Sequence, residues 1–383
     1  MENQNKSIFI SAGEISGDIH AADLINKLKS KNPNLNIYGI GGQYMAKTNY
    51  NSIDNDTSYL STVGFLESLR FYITKYKLLK KTIKFIKNNK INLVILVDNQ
   101  GFNIPLAKAV NKMNIKTIYY FPPHVSIWGK WNSELLSKIC NLLIVPFYDD
   151  YEIYKLYSNN VIYSGNPLVD KIKNFKFDEN FYNKYNINKN KKIISLFPGS
   201  RFQEIENLLP TMIDAAKILA KNYDFQYILS VSHPIYKNLI TNIIKKKNFL
   251  NLIKIIDNEQ YSCMHISNVI LGCSGTAILE AALIKKPAIV CYKVTNLTYL
   301  IGKFLVKKKY ISLPNIILDK EIYPELIQKK FNVNNIIDYT LKFINMNNDM
   351  KKEYDNYYTI IENKTWIPNS LNIITDKIFE LLG

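Results

Sequence analysis

Two acids in a glycine-bearing turn are the first residues of this chain that point to chemistry. Ser11-Ala-Gly-Glu-Ile-Ser-Gly-Asp-Ile-His20 follows an apolar run at 7–11 and leads into Ala21, Ala22, Leu24 and Ile25 at helical spacing. The pattern is strand, tight turn, helix. Gly13 and Gly17 let backbone amides approach a ligand, and a helix start favours negative charge, so Glu14 and Asp18 stand out there. Glu14 is the functional candidate, whereas Asp18 has two readings, a second site group or a complement to the helix dipole. Asp98 ends the run Leu93-Val-Ile-Leu-Val97 and precedes Asn99-Gln-Gly-Phe-Asn103. A carboxylate at a strand's carboxyl end can serve as a general base in a cleft, or cap the next helix.

The second half carries a different chemistry. In Leu196-Phe-Pro-Gly-Ser-Arg201, Gly199 and Ser200 can offer amides and a hydroxyl to phosphate, and Arg201 can grip it bidentately. Leu271-Gly-Cys-Ser-Gly-Thr-Ala-Ile-Leu-Glu280 repeats the device. Ser274, Gly275 and Thr276 would open a helix whose amides face a diphosphate, and Glu280, one turn on, could accept from two ribose hydroxyls. Nucleotide on one side and acceptor on the other is the combined expectation.

Regular elements must hold these turns. Apolar strand-like runs at 8–11, 37–40, 93–97, 117–121, 142–145 and 161–163 alternate with helical patterns, and so do runs at 193–197, 226–230, 252–256, 269–271 and 288–292. Such alternation predicts parallel α/β sheets in two Rossmann-like domains with a cleft between their sheet ends. We expect a first domain at 1–171, a second at 172–352, and a C-terminal helical segment at 353–383 returning to the first. The stretch 171–192, rich in Asn, Lys and Asp, reads as the linker.

With 383 residues and 47% hydrophobic content, the chain can fill two cores. Its 49 basic against 32 acidic residues, net +17, suit nucleic acid, an anionic membrane or a phosphorylated substrate, and part of the excess follows from a Lys-, Asn-, Ile- and Tyr-rich composition. No RNA-binding or zinc-finger signature accompanies the charge, and acids in the best loop repel phosphate, so nucleic acid is not an expected partner. Cys140, Cys263, Cys273 and Cys291 lack metal-ligand spacing and read as buried thiols of a reducing cytoplasm. The polar N-terminus shows no signal peptide, and no apolar run reaches about 18 residues, so membrane contact is expected to be peripheral. Val63, Phe65, Leu66, Leu69 and Phe71, ahead of an acid-free lysine run from Lys75 to Lys90, suit an amphipathic helix on an anionic bilayer. A helix packed on the sheet with its lysines in water is the other reading of that run.

Together, GEISGD (13–18), VGFLE (63–67), Val97-Asp98 with Gly101-Phe-Asn103, FPGSR (197–201), GTAILEAAL (275–283), SLPN (312–315) and PELIQ (324–328) resemble the lipid-A-disaccharide synthase family. The resemblance runs from about residue 7 to 325, with a weaker tail. It implies a GT-B fold and an inverting glycosyl transfer in the lipopolysaccharide pathway of a Gram-negative bacterium. UDP-2,3-diacylglucosamine would be the donor and 2,3-diacylglucosamine 1-phosphate the acceptor, giving the β-1,6 disaccharide and UDP at the cytoplasmic face of the inner membrane. By resemblance Asp98 is the base and Glu14 lies near the acceptor. Gly199, Ser200, Arg201, Ser274, Gly275, Thr276 and Glu280 would hold UDP, and Asn315, Glu325 and Gln328 would shape the donor site. Gly17, Asp18 and Trp128 would face the acceptor or membrane.

No acidic DxD pair lies near the second-half turns, so neither a metal nor a cofactor is expected. The oligomeric state stays open, a homodimer included. Departures from the family pattern are Ser126 and Gly129 around Trp128, with Lys130 able to restore a charge, and Asn166 in place of a histidine. His20 and His124 read as structural or substrate-adjacent. Another UDP-sugar GT-B transferase and an inactive membrane-bound paralogue remain as alternatives.

Overall fold

The computed structural model describes residues 6–54, 72–305 and 308–383. They divide into two compact units, Met1–Asp170 with Leu300–Lys307 and Thr365–Gly383, and Lys171–Tyr299 with Lys308–Lys364. The expected membrane-facing residues Val63, Phe65, Leu66, Leu69 and Phe71 lie outside the described residues.

The first unit is built on a parallel sheet of β1 (Ser7–Ala12), β2 (Asn36–Ile40), β3 (Asn51–Asp54), β4 (Leu93–Val97), β5 (Lys116–Tyr120), β6 (Leu142–Val145) and β7 (Val161–Tyr163). Its order is β3-β2-β1-β4-β5-β6-β7. All five residues of β4 are buried, as a central strand covered by helices on both faces requires. In the second unit β8 (Ile193–Phe197), β9 (Gln226–Val231), β10 (Ile253–Asp257), β11 (Val269–Cys273), β12 (Ala288–Tyr292) and β13 (Glu325–Ile327) form a parallel sheet in the order β10-β9-β8-β11-β12-β13.

Both orders reverse direction once, between β1 and β4 and between β8 and β11. Open α/β sheets bind ligands outside the carboxyl ends of their strands at such reversals. The turns after β1 and β4 carry Glu14 and Asp98, and those after β8 and β11 carry Gly199–Arg201 and Ser274–Thr276. Each sheet thus has its candidate turns at the one place its topology favours.

Two boundaries differ from the sequence reading. The stretch 171–192 is not a bare linker, because it carries the helix Asn180–Lys184 and buries Phe181 and Ile187. Two apolar anchors suffice to order a segment otherwise rich in Asn and Lys. The C-terminal return begins at Thr365 rather than 353, since the helix Asn348–Thr365 sets Tyr358 against Tyr323 of the second unit. The last helix, Ser370–Leu382, sinks Ile374 and Ile378 into the core of the first unit beside Ile8, Ile25 and Ile37.

Candidate active site

In the first unit, Asp98 and Asn99 both take left-handed backbone angles, φ 53° and 41°, which end β4 abruptly and turn the chain into the helix Gln100–Asn111. Asp and Asn tolerate this region better than other side chains. The backbone of Asp98 is held from several sides. Its amide donates to the Tyr120 carbonyl at 3.1 Å. Its carbonyl accepts from Asn103 Nδ2 and from the Tyr119 hydroxyl, both at 2.9 Å. Asn103 is fully buried and also ties Val97 and Ser11, so it joins the ends of β4 and β1. The Asp98 carboxylate is half-buried and accepts from Ser16 Oγ at 3.2 Å. Burial, then the charge of Asp98, pushes the Tyr119 phenol well above its usual range, so it remains a donor.

Glu14 is the N-cap of the helix Ile15–Lys31, with extended backbone and no side-chain capping bond. Burial lowers the Lys75 ammonium and the charge of Glu14 opposes that, which puts the two within electrostatic reach. Gly17 is a close-approach glycine, since a Cβ there would stand 3.3 Å from Asp98 Cβ and 3.4 Å from the Val97 carbonyl oxygen. Asp18 corrects the sequence reading. It is only 3% exposed, and its carboxylate accepts from the amides of Gly42, Tyr44 and Met45 at 2.8, 2.8 and 3.1 Å. It anchors the helix to the chain after β2 instead of facing an acceptor. Trp128 is half-buried, its amide bonded to the His124 carbonyl at 3.0 Å. The neighbouring Gly129 has φ 70°, a left-handed angle that suits glycine.

In the second unit, Gly199 has φ 123°, and a Cβ there would fall 2.5 Å from Glu204. Glu204 is a residue that sequence reasoning missed. Its carboxylate accepts from the amides of Ser200 and Arg201 at 2.8 and 3.2 Å and from Arg201 Nη1 at 2.6 Å. The N-cap-to-N3 spacing of Arg201 and Glu204 is the signal that would have found it. Across the reversal, Gly275 and Thr276 start the helix Thr276–Leu283, with Gly275 exposed. Ser274 donates its hydroxyl to the Ile311 carbonyl at 3.1 Å, so it braces the turn. β8 pairs with β11, so the turns that follow them lie side by side at one sheet edge.

Glu280 is 5% exposed and accepts from Gln260 Nε2 and from the Tyr261 hydroxyl. Asn315, Glu325 and Gln328 are spent on the protein's own backbone. Asn315, fully buried, accepts from the amides of Ile322 and Tyr323 and donates to the Tyr323 carbonyl and to Glu325. Glu325 accepts from the amides of Ile311 and Ser312, from Ser312 Oγ and from Asn315 Nδ2. Gln328 pairs with both the amide and the carbonyl of Val294. These three brace the segment behind the turn. Among the described residues, no group of three or more His, Cys, Asp or Glu is gathered to hold a metal ion.

A family model described as lipid-A-disaccharide synthetase matches residues 8–378. The chain belongs to this family. It is 38% identical over 368 residues to the lipid-A-disaccharide synthase of Sulfurihydrogenibium sp. (strain YO3AOP1), with 92% of each chain covered. It is 35% identical over 345 residues to that of Persephonella marina, covering 88% of this chain and 89% of the other. Among solved structures, a UDP-GlcNAc 2-epimerase from Neisseria meningitidis bound to UDP-GlcNAc superposes with a TM-score of 0.65 at 17% identity, covering 98% of this chain and 100% of that one. A Methanocaldococcus jannaschii UDP-GlcNAc 2-epimerase in complex with UDP-GlcNAc and UDP gives 0.61 at 15% identity, covering 98% and 99%. At such identities the likeness speaks to the fold, which is the two-domain GT-B arrangement. Lipid-A-disaccharide synthase is a glycosyltransferase, and this chain carries its glycine-bearing turns at the reversal points of its two sheets.

For a member of the lipid-A-disaccharide synthase family, the titration of Glu280 has a testable consequence. Burial raises its carboxyl from 4.5 to about 7, although the Tyr261 hydrogen bond and the charge of Lys171 pull the other way. If the ionised carboxylate accepts the ribose hydroxyls, UDP affinity falls as pH drops below about 7, by up to about tenfold per unit. The ligand-free protein has the opposite trend. A carboxyl raised on folding adds stability that is complete below pH 4.5 and is lost as pH rises through about 7. Calorimetric UDP titrations from about pH 5.5 to 8.5 should show the slope in wild type and not in Glu280→Gln. A flat wild-type profile would remove Glu280 from the ribose.

Proposed function

We propose that this chain joins UDP-2,3-diacylglucosamine to 2,3-diacylglucosamine 1-phosphate in a single inverting displacement, with Asp98 as the general base. The observation that carries the reading is the placement of Asp98. Its carboxylate stands at the reversal point of the first sheet, on a backbone fixed by Asn103 and Tyr119, beside the close-approach Gly17. The acceptor 6-hydroxyl loses its proton to Asp98 as its oxygen attacks the anomeric carbon, and the bond to UDP breaks on the opposite side. Arg201 and the amides at the start of the helix Thr276–Leu283 receive the charge that develops on the departing diphosphate. Arg201 supplies the opposing positive charge, so this mechanism assigns no step to a metal or a cofactor. The test is mass spectrometry of the products from both acylated sugars in detergent with EDTA present. A tetraacyl disaccharide 1-phosphate and equimolar UDP support the reading. A folded protein that binds UDP and forms no disaccharide overturns it.

The same reading puts the enzyme on an anionic membrane surface at the cytoplasmic face, where both acylated substrates reside. Among the described residues no helix is long and apolar enough to cross a membrane. The helix Tyr72–Asn88, however, exposes Tyr72, Ile73 and Tyr76 before burying Leu78, with Lys77, Lys80, Lys81 and Lys84 also exposed. Apolar and aromatic side chains next to lysines are the composition of an interfacial helix. Changing Ile73 and Tyr76 to serine is expected to weaken sedimentation with phosphatidylglycerol vesicles by about tenfold, with the melting temperature unchanged. Unaltered vesicle binding would move the contact elsewhere.

A further inference from the structure

His124 and Asp150 form a pair that the mechanism above does not use. Asp150, on the helix Tyr148–Lys155, is 2% exposed, and each of its carboxylate oxygens accepts a hydrogen bond. One bond comes from the Ser126 amide and the other from His124 Nδ1, both at 2.8 Å. A carboxylate so deeply buried is stable when a cation stands against it, and here the paired group is the imidazole. The ring itself is half-buried. Its side chain is 33% exposed, and its ring centroid lies 4.9 Å from that of Phe147, the two planes tilted by 52°. The segment carrying it follows β5, the strand next to β4, and its backbone is fixed by the Tyr154 hydroxyl on the Pro123 carbonyl and by the bonds of Ile127 and Trp128 to the His124 carbonyl. His124 is therefore held rigidly at the same carboxyl edge as Asp98.

We propose that His124, clamped at Nδ1 by Asp150, donates its Nε2 proton to the phosphate of the acceptor sugar and so selects a phosphorylated acceptor. The inference rests on the transferase reading above. An acceptor bringing a phosphate monoester to an edge that carries Glu14 and Asp98 needs a compensating cation. Lys75 is within electrostatic reach of Glu14. Burial pulls the imidazole down, but the charge of Asp150, its hydrogen bond and the charge of Asp98 outweigh that and hold it above its ordinary value. Holding its proton more tightly, the imidazole is a donor to an anion and no competitor to Asp98 as base.

The experiment compares 2,3-diacylglucosamine 1-phosphate with its dephosphorylated analogue as acceptors. Wild type should prefer the phosphorylated one in kcat/KM, and His124→Gln should lower that preference by about ten- to a hundredfold, chiefly through acceptor KM. His124→Arg, which keeps a cation, should retain most of it, and Asp150→Asn, which removes the clamp's charge, should lose part of it. If His124→Gln melts early, the Arg and Asn variants carry the same comparison. An unchanged preference in folded His124→Gln or Asp150→Asn, or a loss confined to kcat, overturns the proposal. A wild type that makes no disaccharide from either acceptor overturns the transferase reading instead.

Discussion

Asp98→Asn is expected to lower kcat by about two to four orders of magnitude, the range of a lost general base, while the protein keeps its fold. Asparagine is the informative replacement because Asp98 sits at φ 53°, where most side chains are strained and asparagine is not. The backbone contacts to Asn103, Tyr119 and Tyr120 do not involve the carboxylate and survive the change. The side-chain amide oxygen of the variant can still accept from Ser16, while the basicity and the charge of the carboxylate are removed. UDP affinity should stay within about twofold, since the turns proposed for the diphosphate belong to the second unit and the interaction lost is one made in the transition state. The measurement is steady-state turnover at saturating donor, beside a UDP titration and a melting curve. Turnover within about tenfold of wild type would take Asp98 out of the chemistry. Weakened UDP binding together with lost turnover would mean that the substitution had spread beyond its site.

Much of this arrangement is legible in the sequence because buried parallel strands write continuous apolar runs. Leu93-Val-Ile-Leu-Val97 and Ile193-Ile-Ser-Leu-Phe197 are examples, and the glycine turns that follow them fall at the sheet reversals. Two of the four edge strands leave less of a trace. β3 is Asn-Ser-Ile-Asp, polar and partly exposed, and β13 has only Leu326 and Ile327 beside Glu325, so neither writes an apolar run as the edge strands β7 and β10 do. Motif residues were legible as important but not in their role. Asp18 and Asn315 are polar side chains in loop-like motifs, which from sequence suggests ligand contact, yet both satisfy buried backbone amides. Spacing cannot separate the two uses, because each asks for a short polar side chain at a turn. The His124–Asp150 pair joins residues 26 positions apart on different elements, a relation that only the packing of the chain after β5 against the helix Tyr148–Lys155 creates.

Glu325→Ala should cost the second unit about 3–5 kcal/mol and lower its melting temperature by about 10 °C. The reason is that Glu325 is 8% exposed and is an acceptor shared by four donors, the amides of Ile311 and Ser312, the Ser312 hydroxyl and the Asn315 amide. Removing one acceptor leaves several buried donors without a partner, each costing more than a single hydrogen bond contributes. Glutamine would not restore the site, because its NH2 would face some of those donors. The effect should also reach the nucleotide. Ile311 receives the hydroxyl of Ser274 on its carbonyl while its amide is held by Glu325, so the carboxylate braces the turn after β11 through one intervening residue. UDP affinity, measured well below the melting transition, should therefore weaken along with stability. Calorimetric melting and UDP titration of the same variant separate two roles. Loss of both supports a brace, whereas lost affinity at an unchanged melting temperature would put Glu325 on the ligand.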